Sequence, residues 1–246
     1  FYGLGADGTV GANKNTIKII GENTDNFAQG YFVYDSKKAG AITVSHVRFG
    51  PTLIRKPYLV DQANFVACHN FSFLEKYDML GKIVDGGTFL LNSPYGKDEV
   101  WDKMPSEVQK QIIDKKLNFY VIDGVDLGIK LGLGARINMI MQTAFFVISE
   151  VLPQADALDY IKAAIKKTYG KKGDKIVQMN YNAVDTAREN VFKVDYPNEV
   201  TSTINMPPAV PEDSPKFIKD VTAVIMSGNG EDLPVSSMPI DGTFPT

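Results

Sequence analysis

Cysteine is nearly absent from this 246-residue chain: Cys68 stands alone. One thiol cannot form an intramolecular disulfide, and it cannot supply a four-cysteine zinc or iron–sulfur site. Reducing cytosolic conditions are the natural setting for such a chain, so the expected location is cytoplasmic. Histidine is almost as scarce. His46 and His69 lie 23 residues apart and have no metal-ligand spacing. No apolar run reaches the roughly 18 residues a membrane span needs. The nearest, Ile137 to Leu152, is interrupted by Asn138, Gln142, Thr143 and Glu150. Secretory signals, a G-x-S-x-G elbow, an H-E-x-x-H pair and a Walker A loop are all missing. No general acid–base pair stands out, so a complete active site is not expected. Charge is balanced, with 26 basic and 29 acidic residues and a formal net charge of −3. That balance argues against whole-chain nucleic-acid binding but leaves room for a local basic site.

An ordinary soluble composition is present instead, 44% hydrophobic, with length enough to bury a core without staples. The pattern alternates strands and helices. Helices are expected over Val10–Glu22, Phe71–Ile83, Pro105–Lys116, Ile137–Val151, Ala155–Tyr169, Ile176–Val191 and Phe217–Met226. Strands are expected over Gly30–Tyr34, Ile42–Phe49, Phe65–Cys68, Thr88–Asn92 and Phe119–Ile122. The fold class is therefore α/β: a layered, Rossmann-like, mainly parallel sheet with flanking helices, a helical cap and an extended C-terminal tail. Residues 1–196 read as the α/β unit and 197–246 as a proline-rich connector, because Pro207, Pro208, Pro211 and Pro215 fall within nine residues. The chain begins Phe1-Tyr2-Gly3 without Met, and it reads as a segment of a longer polypeptide.

Three features carry chemistry. Gly3-Leu4-Gly5-Ala6-Asp7-Gly8 fits G-x-G-x-x-G and precedes a helix. Glycines let backbone approach a phosphate, and the helix start offers unpaired N–H donors. The alternative is a simple turn with Asp7 or Thr9 capping the helix. A dinucleotide site would want an acid after a second strand, and Glu22 and Asp25 fall instead at a helix end. Lys37 and Lys38 follow a strand, where they meet either anionic oxygens or only solvent. Gly132-Leu133-Gly134-Ala135-Arg136-Ile137-Asn138 is a glycine turn opening a helix. Arg136 there runs against the helix dipole, which a phosphate or a neighbouring carbonyl or carboxylate would relieve. Cys68 ends an apolar run and reads as packing, and His46 reads as structural or surface. The lysines from Lys162 to Lys175 read as a solvated helix face.

Together the strings GLGADGTVGANKNTIKIIGENT, QGYFVYDSKKAGAITVSHVRFG, GLGARINMIMQTAFF, YLVDQANFVACHN, GGTFLLNSPY, YGKKGDKIVQMN and LPVSSMPIDGTFP resemble the γ-type domain of pyruvate:ferredoxin (flavodoxin) oxidoreductase, from end to end of the chain. The resemblance implies a parent enzyme, expected to be a homodimer, that converts pyruvate and coenzyme A to acetyl-CoA and CO2 and reduces ferredoxin or flavodoxin. Thiamine diphosphate, Mg2+ and [4Fe-4S] clusters would belong to its other domains, which agrees with the single cysteine. This domain would bind coenzyme A and be inactive alone. Its phosphates would meet Gly5, Ala6, Asp7, Gly8 and Thr9, with Lys37, Lys38, Arg136 and Asn138 supplying charge and hydrogen bonds. The position of Ala6 is commonly Ser in the family, so a hydroxyl contact is missing here. Two other functions compete: a nicotinamide-binding oxidoreductase domain, and a non-catalytic module bridging other domains.

Overall fold

The computed structural model describes residues 1–35 and 40–245. Among them seven strands form one sheet: β1 Tyr2–Leu4, β2 Phe27–Tyr34, β3 Ile42–Gly50, β4 Ala63–Cys68, β5 Ile83–Asn92, β6 Asn118–Ile122 and β7 Phe192–Lys193. Their order is β2-β3-β1-β4-β5-β6-β7. The centre, β1-β4-β5-β6, is parallel. β2 and β3 close one side and β7 the other with antiparallel pairs. The helices are α1 Thr9–Asn23, α2 Ser106–Asp114, α3 Gly124–Lys130, α4 Asn138–Ser149, α5 Gln154–Tyr169, α6 Asp174–Glu189 and the short α7 Ala223–Met226.

Period-two alternation in the central strands sorts the core into two layers. Cys68, Phe89, Leu91, Phe119 and Val121 face one side, where Phe73, Leu74, Trp101, Val108 and Ile112 pack on them. Ala67, Leu90 and Ile122 face the other side, toward Leu127, Ile140, Ala144 and Ala183. There α1, α4, α5 and α6 add a helical layer around Ile20, Phe145, Phe146 and Ile161. Phe89 and Phe119 stack at 5.3 Å between centroids and are fully buried. Burying each stabilises the fold by about 1.5–3 kcal/mol.

Several local expectations change. Phe71–Ile83 is not a helix: a 3-10 turn ends at Glu75, and Asp78 Oδ1 accepts the Gly81 N–H at 2.9 Å. Lys115 then donates to the carbonyls of Leu80, Gly81 and Ile83, and the chain enters β5 at Ile83. Gly86 and Gly87 lie inside β5, where the pairing with β4 shifts register, and do not precede it. α3 has no counterpart in the sequence reading. It is short, and Gly128 lets it touch the next loop: a Cβ there would sit 2.5 Å from the Gly134 carbonyl oxygen. The last expected helix is a π-helical turn, Ile218–Thr222, leading into α7.

The proline-rich tail is extended, as composition suggests, but it docks on α2. The buried Gln109 side chain accepts the N–H groups of Thr201 and Ser202, each at 2.9 Å, and donates to the Trp101 carbonyl at 2.6 Å. Ser106 N–H reaches the Ile204 carbonyl at 2.7 Å. Tyr196 stacks on Trp101 at 5.2 Å.

Candidate functional site

The parallel strands all point their C-terminal ends at one edge, the usual place for a ligand in an open α/β sheet. β1 delivers the loop 5–8 there, β4 delivers His69, β5 delivers Asn92 and β6 delivers Asp123 and Gly124. β1 lies between an antiparallel and a parallel neighbour, so the sheet changes direction beside this loop.

The loop is held from several sides. Gly5 N–H donates to the Ala41 carbonyl at 3.0 Å. Asp7 spends both carboxylate oxygens on backbone, accepting Leu4 N–H and Thr9 N–H, each at 2.8 Å. Gly8 takes φ 84°, a left-handed conformation that glycine adopts without steric cost. The first backbone bond back from α1 is Ala12 N–H to the Gly8 carbonyl, so the N–H groups of Val10 and Gly11 precede the helical ladder. Gly5, Ala6 and Gly8 are exposed and Thr9 is buried.

Thr9 serves the interior. Its hydroxyl lies 2.7 Å from His69 Nδ1. His69 is only 5% exposed, and its Nε2 has no partner among the described residues. Burial pushes its pKa down to about 4, against a smaller upward pull from Asp7, so the ring is neutral at pH 7. Asn92 ties the edge together, donating to the His69 carbonyl at 2.9 Å and accepting Gly124 N–H at 2.8 Å. None of these three contacts has a signal in the sequence, because the partners lie 60, 23 and 32 residues apart. Cys68 Sγ donates to the Asn70 carbonyl at 3.0 Å, and burial pushes that thiol up to about 12. It is a packing residue, as its apolar run suggests.

The second glycine turn comes to the same place. A Cβ on Gly8 would lie 3.0 Å from Asn138 Cγ, so the starts of α1 and α4 touch. Behind the contact, Gln142 of α4 donates to the Ala12 carbonyl at 3.2 Å and to Thr16 Oγ1 at 2.9 Å. Arg136 is exposed on this loop, and no hydrogen bond or ion pair occupies its guanidinium among the described residues. Of the candidate residues, Gly5, Ala6, Asp7, Gly8, Thr9 and Asn138 therefore gather at one edge, with Arg136 two residues from Asn138. Lys37 and Lys38 lie outside the described residues. The acids considered for a ribose are elsewhere: Glu22 is exposed at the far end of α1, 3.5 Å from Lys18. β3 also separates β2 from β1, so the strand–helix–strand unit of a dinucleotide site is not formed here. Among the described residues no group of three or more His, Cys, Asp or Glu side chains is placed to hold a metal ion. No helix there is long and apolar enough to cross a membrane.

Residues 1–190 match the family described as pyruvate ferredoxin/flavodoxin oxidoreductase. This chain belongs to that family. Residues 203–246 match a second family, described as a domain of unknown function. Among its oxidoreductase relatives, the pyruvate-flavodoxin oxidoreductase of Rhodospirillum rubrum is 53% identical over 246 residues. The pyruvate:ferredoxin oxidoreductase of Moorella thermoacetica is 51% identical over 245 residues. In both the alignment covers 100% of this chain but 21% of the relative, so the chain spans about a fifth of the length of the curated relatives it matches. Solved structures share the fold. The pyruvate oxidoreductase subunit PORC of Thermotoga maritima superposes with TM-score 0.63 at 16% identity, over 79% of this chain and 96% of that one. The 2-oxoglutarate:ferredoxin oxidoreductase of Magnetococcus marinus, solved with 2-oxoglutarate, coenzyme A and succinyl-CoA bound, gives 0.57 at 17% identity, over 84% of this chain and 32% of that one.

Proposed function

We propose that this chain is the coenzyme A-binding part of a pyruvate:ferredoxin or pyruvate:flavodoxin oxidoreductase. The parent reaction oxidatively decarboxylates pyruvate, joins the acetyl group to the coenzyme A sulfur and releases CO2, with two electrons passing to ferredoxin or flavodoxin. Thiamine diphosphate, Mg2+ and iron–sulfur clusters belong, in this reading, to the rest of the parent. The described residues carry no metal-ligand cluster of their own. Residues 1–196 act as the α/β unit and 197–246 as the connector to the rest of a cytoplasmic, homodimeric enzyme.

The observation that carries the reading is the contact of Gly8 with Asn138. It joins two glycine turns 130 residues apart into one edge, with Arg136 beside it, unpaired among the described residues. Asp7 shapes how a phosphate is held there. Its carboxylate already satisfies the Leu4 and Thr9 N–H groups and brings a negative charge to the helix start. The Gly5 and Asp7 N–H groups are spent on the Ala41 and Leu4 carbonyls, so phosphate oxygens are left to the N–H groups of Ala6, Gly8, Val10 and Gly11. Arg136 supplies the compensating charge, with Lys37 and Lys38 as further cations. The relative solved with coenzyme A bound shares this fold.

The test is calorimetric titration of the full-length parent with coenzyme A, using NADH as control. A hydrogen bond to a charged group contributes about 1.5–3 kcal/mol, so Arg136→Ala weakens coenzyme A binding about 10- to 150-fold. Unchanged affinity in that variant, or binding of NADH in place of coenzyme A, refutes the assignment. The bridging role coexists with this one: the tail leaves Val235 93% exposed and Ile240 fully exposed, ready for contact with other domains.

A further inference from the structure

Six lysines fall between positions 162 and 175, against one acid, Asp174, in a chain whose net charge is −3. Lys162 is used internally, 2.6 Å from Asp185 Oδ1. Lys166, Lys167, Lys171, Lys172 and Lys175 are exposed, and none is ion-paired among the described residues. Lys166 and Lys167 in the last turn of α5 suit the helix dipole, but Lys175 in the first turn of α6 opposes it. Among the described residues, Lys172 has a ring contact, over Tyr169 at 5.4 Å. Five like charges in ten residues repel one another, so local stability does not account for the cluster.

Its place in the fold gives it a use. α4 starts beside Gly8 and runs away from the ligand edge. A short link over 150–153 turns the chain, and α5 packs back on α4, so the α5–α6 turn returns to that edge. Contact confirms the position: Met179 Cε lies 3.0 Å from where a Gly132 Cβ would stand. The loop carrying Arg136 thus rests on the second turn of α6, roughly 6 Å along the axis from Lys175.

We infer that the lysine turn Lys166–Lys175 is an electrostatic guide that draws a polyanionic small molecule to the Gly8–Arg136 edge. The inference rests on the coenzyme A reading above and adds a separate surface with a separate role, in encounter and not in the bound contacts. A ligand bearing a pyrophosphate and a 3′-phosphate is the kind of molecule such a field accelerates.

The experiment is rapid-mixing fluorescence on the full-length parent with a fluorescent adenine analogue of coenzyme A and its dephospho form. The variants are Lys166, Lys167, Lys171, Lys172 and Lys175 all changed to Gln, the same five changed to Arg, and Arg136→Ala. The Gln variant is expected to associate about tenfold more slowly at low salt, with an unchanged dissociation rate. The gap closes as salt shortens the screening length to a few ångströms. The Arg variant keeps the wild-type rate, and the dephospho ligand shows a shallower salt dependence. An unchanged association rate in the Gln variant, with Arg136→Ala weakened, overturns the guide alone. No effect in either variant overturns the site reading and the guide together. A faster dissociation rate in the Gln variant means direct contact in the complex and also overturns it.

Discussion

Gly8→Ala places a methyl group at the one point where the two arms of the ligand edge meet. Two costs follow from the geometry. The backbone holds φ 84°, and an L-residue there costs roughly 1–2 kcal/mol. The new Cβ would also stand 3.0 Å from Asn138 Cγ and 3.1 Å from Nδ2. Asn138 is half-buried and can rotate away, so this second cost falls near the low end of the 1–3 kcal/mol range for overpacking, about 1 kcal/mol. The single variant should therefore lose about 2–3 kcal/mol, measured by urea denaturation of the chain. Asn138→Ala removes Cγ and Nδ2 but keeps Cβ, 3.2 Å from the new methyl, so in the double variant most of the steric share disappears while the backbone strain stays. The double-mutant cycle should return a coupling of about 0.5–1 kcal/mol. Coenzyme A affinity of the parent should fall in Gly8→Ala and recover in part in the double variant. A coupling below roughly 0.3 kcal/mol, within the usual scatter of independent sites, refutes the contact and with it the joined edge.

Three other outcomes are expected. Gln109→Leu leaves the N–H groups of Thr201 and Ser202 without their acceptor. Three lost bonds at about 1 kcal/mol each should loosen the tail first, read as faster proteolysis around 197–206 before any change in the core. For His69, the folded value near 4 lies below the ordinary 6.5. The unfolded chain takes up a proton as pH falls through 6.5 and the folded chain does not, so stability declines between pH 6.5 and 4. The loss approaches about 3 kcal/mol below both values. His46, lowered by burial to about 4 as well, adds to the same window, so His69→Gln should lessen that slope in acid-denaturation curves, and an unaltered slope sinks the assignment. Cys68, with its thiol pushed up to about 12, should resist alkylation at pH 8 until the chain unfolds, so the labelling rate should track global unfolding.

Much of the layout follows from short-range patterns. Short apolar runs in Phe65–Cys68, Thr88–Asn92 and Phe119–Ile122 mark the buried central strands, and three- and four-residue spacing marks α2, α4, α5 and α6. Local patterns mislead where a distant group overrides local preference. Phe71–Ile83 has a helical rhythm, yet Lys115 and the Asp78 turn pull its second half straight. Tyr2–Leu4 looks like the start of a glycine loop and becomes a strand because β3 and β4 flank it. At the site, both glycine turns were legible, since positive φ and helix starts leave local signatures. The choice between phosphate cradle and capped turn was not. Asp7 caps the helix and leaves exposed backbone beside it, so both descriptions apply to one loop. The Thr9–His69 bond had no local signature at all.

The three-residue strand β1 has a consequence for the order of folding. It pairs with residues 42–44 on one side and with Cys68 on the other, so neither partner exists until some forty to seventy residues have been placed. Contacts between segments this far apart in sequence form more slowly than local ones. The hairpin of β2 and β3 and the β4–β5 pair can form ahead of it, and β1 then slides between them. Asp7 can reach Leu4 and Thr9 locally, but Thr9 cannot reach His69 before that insertion. In this order the ligand edge should lock after those two strand pairs. An intermediate lacking β1 would hold most of the core yet offer an anion nothing, so ligand affinity should appear late in a refolding time course, after the bulk of the secondary structure.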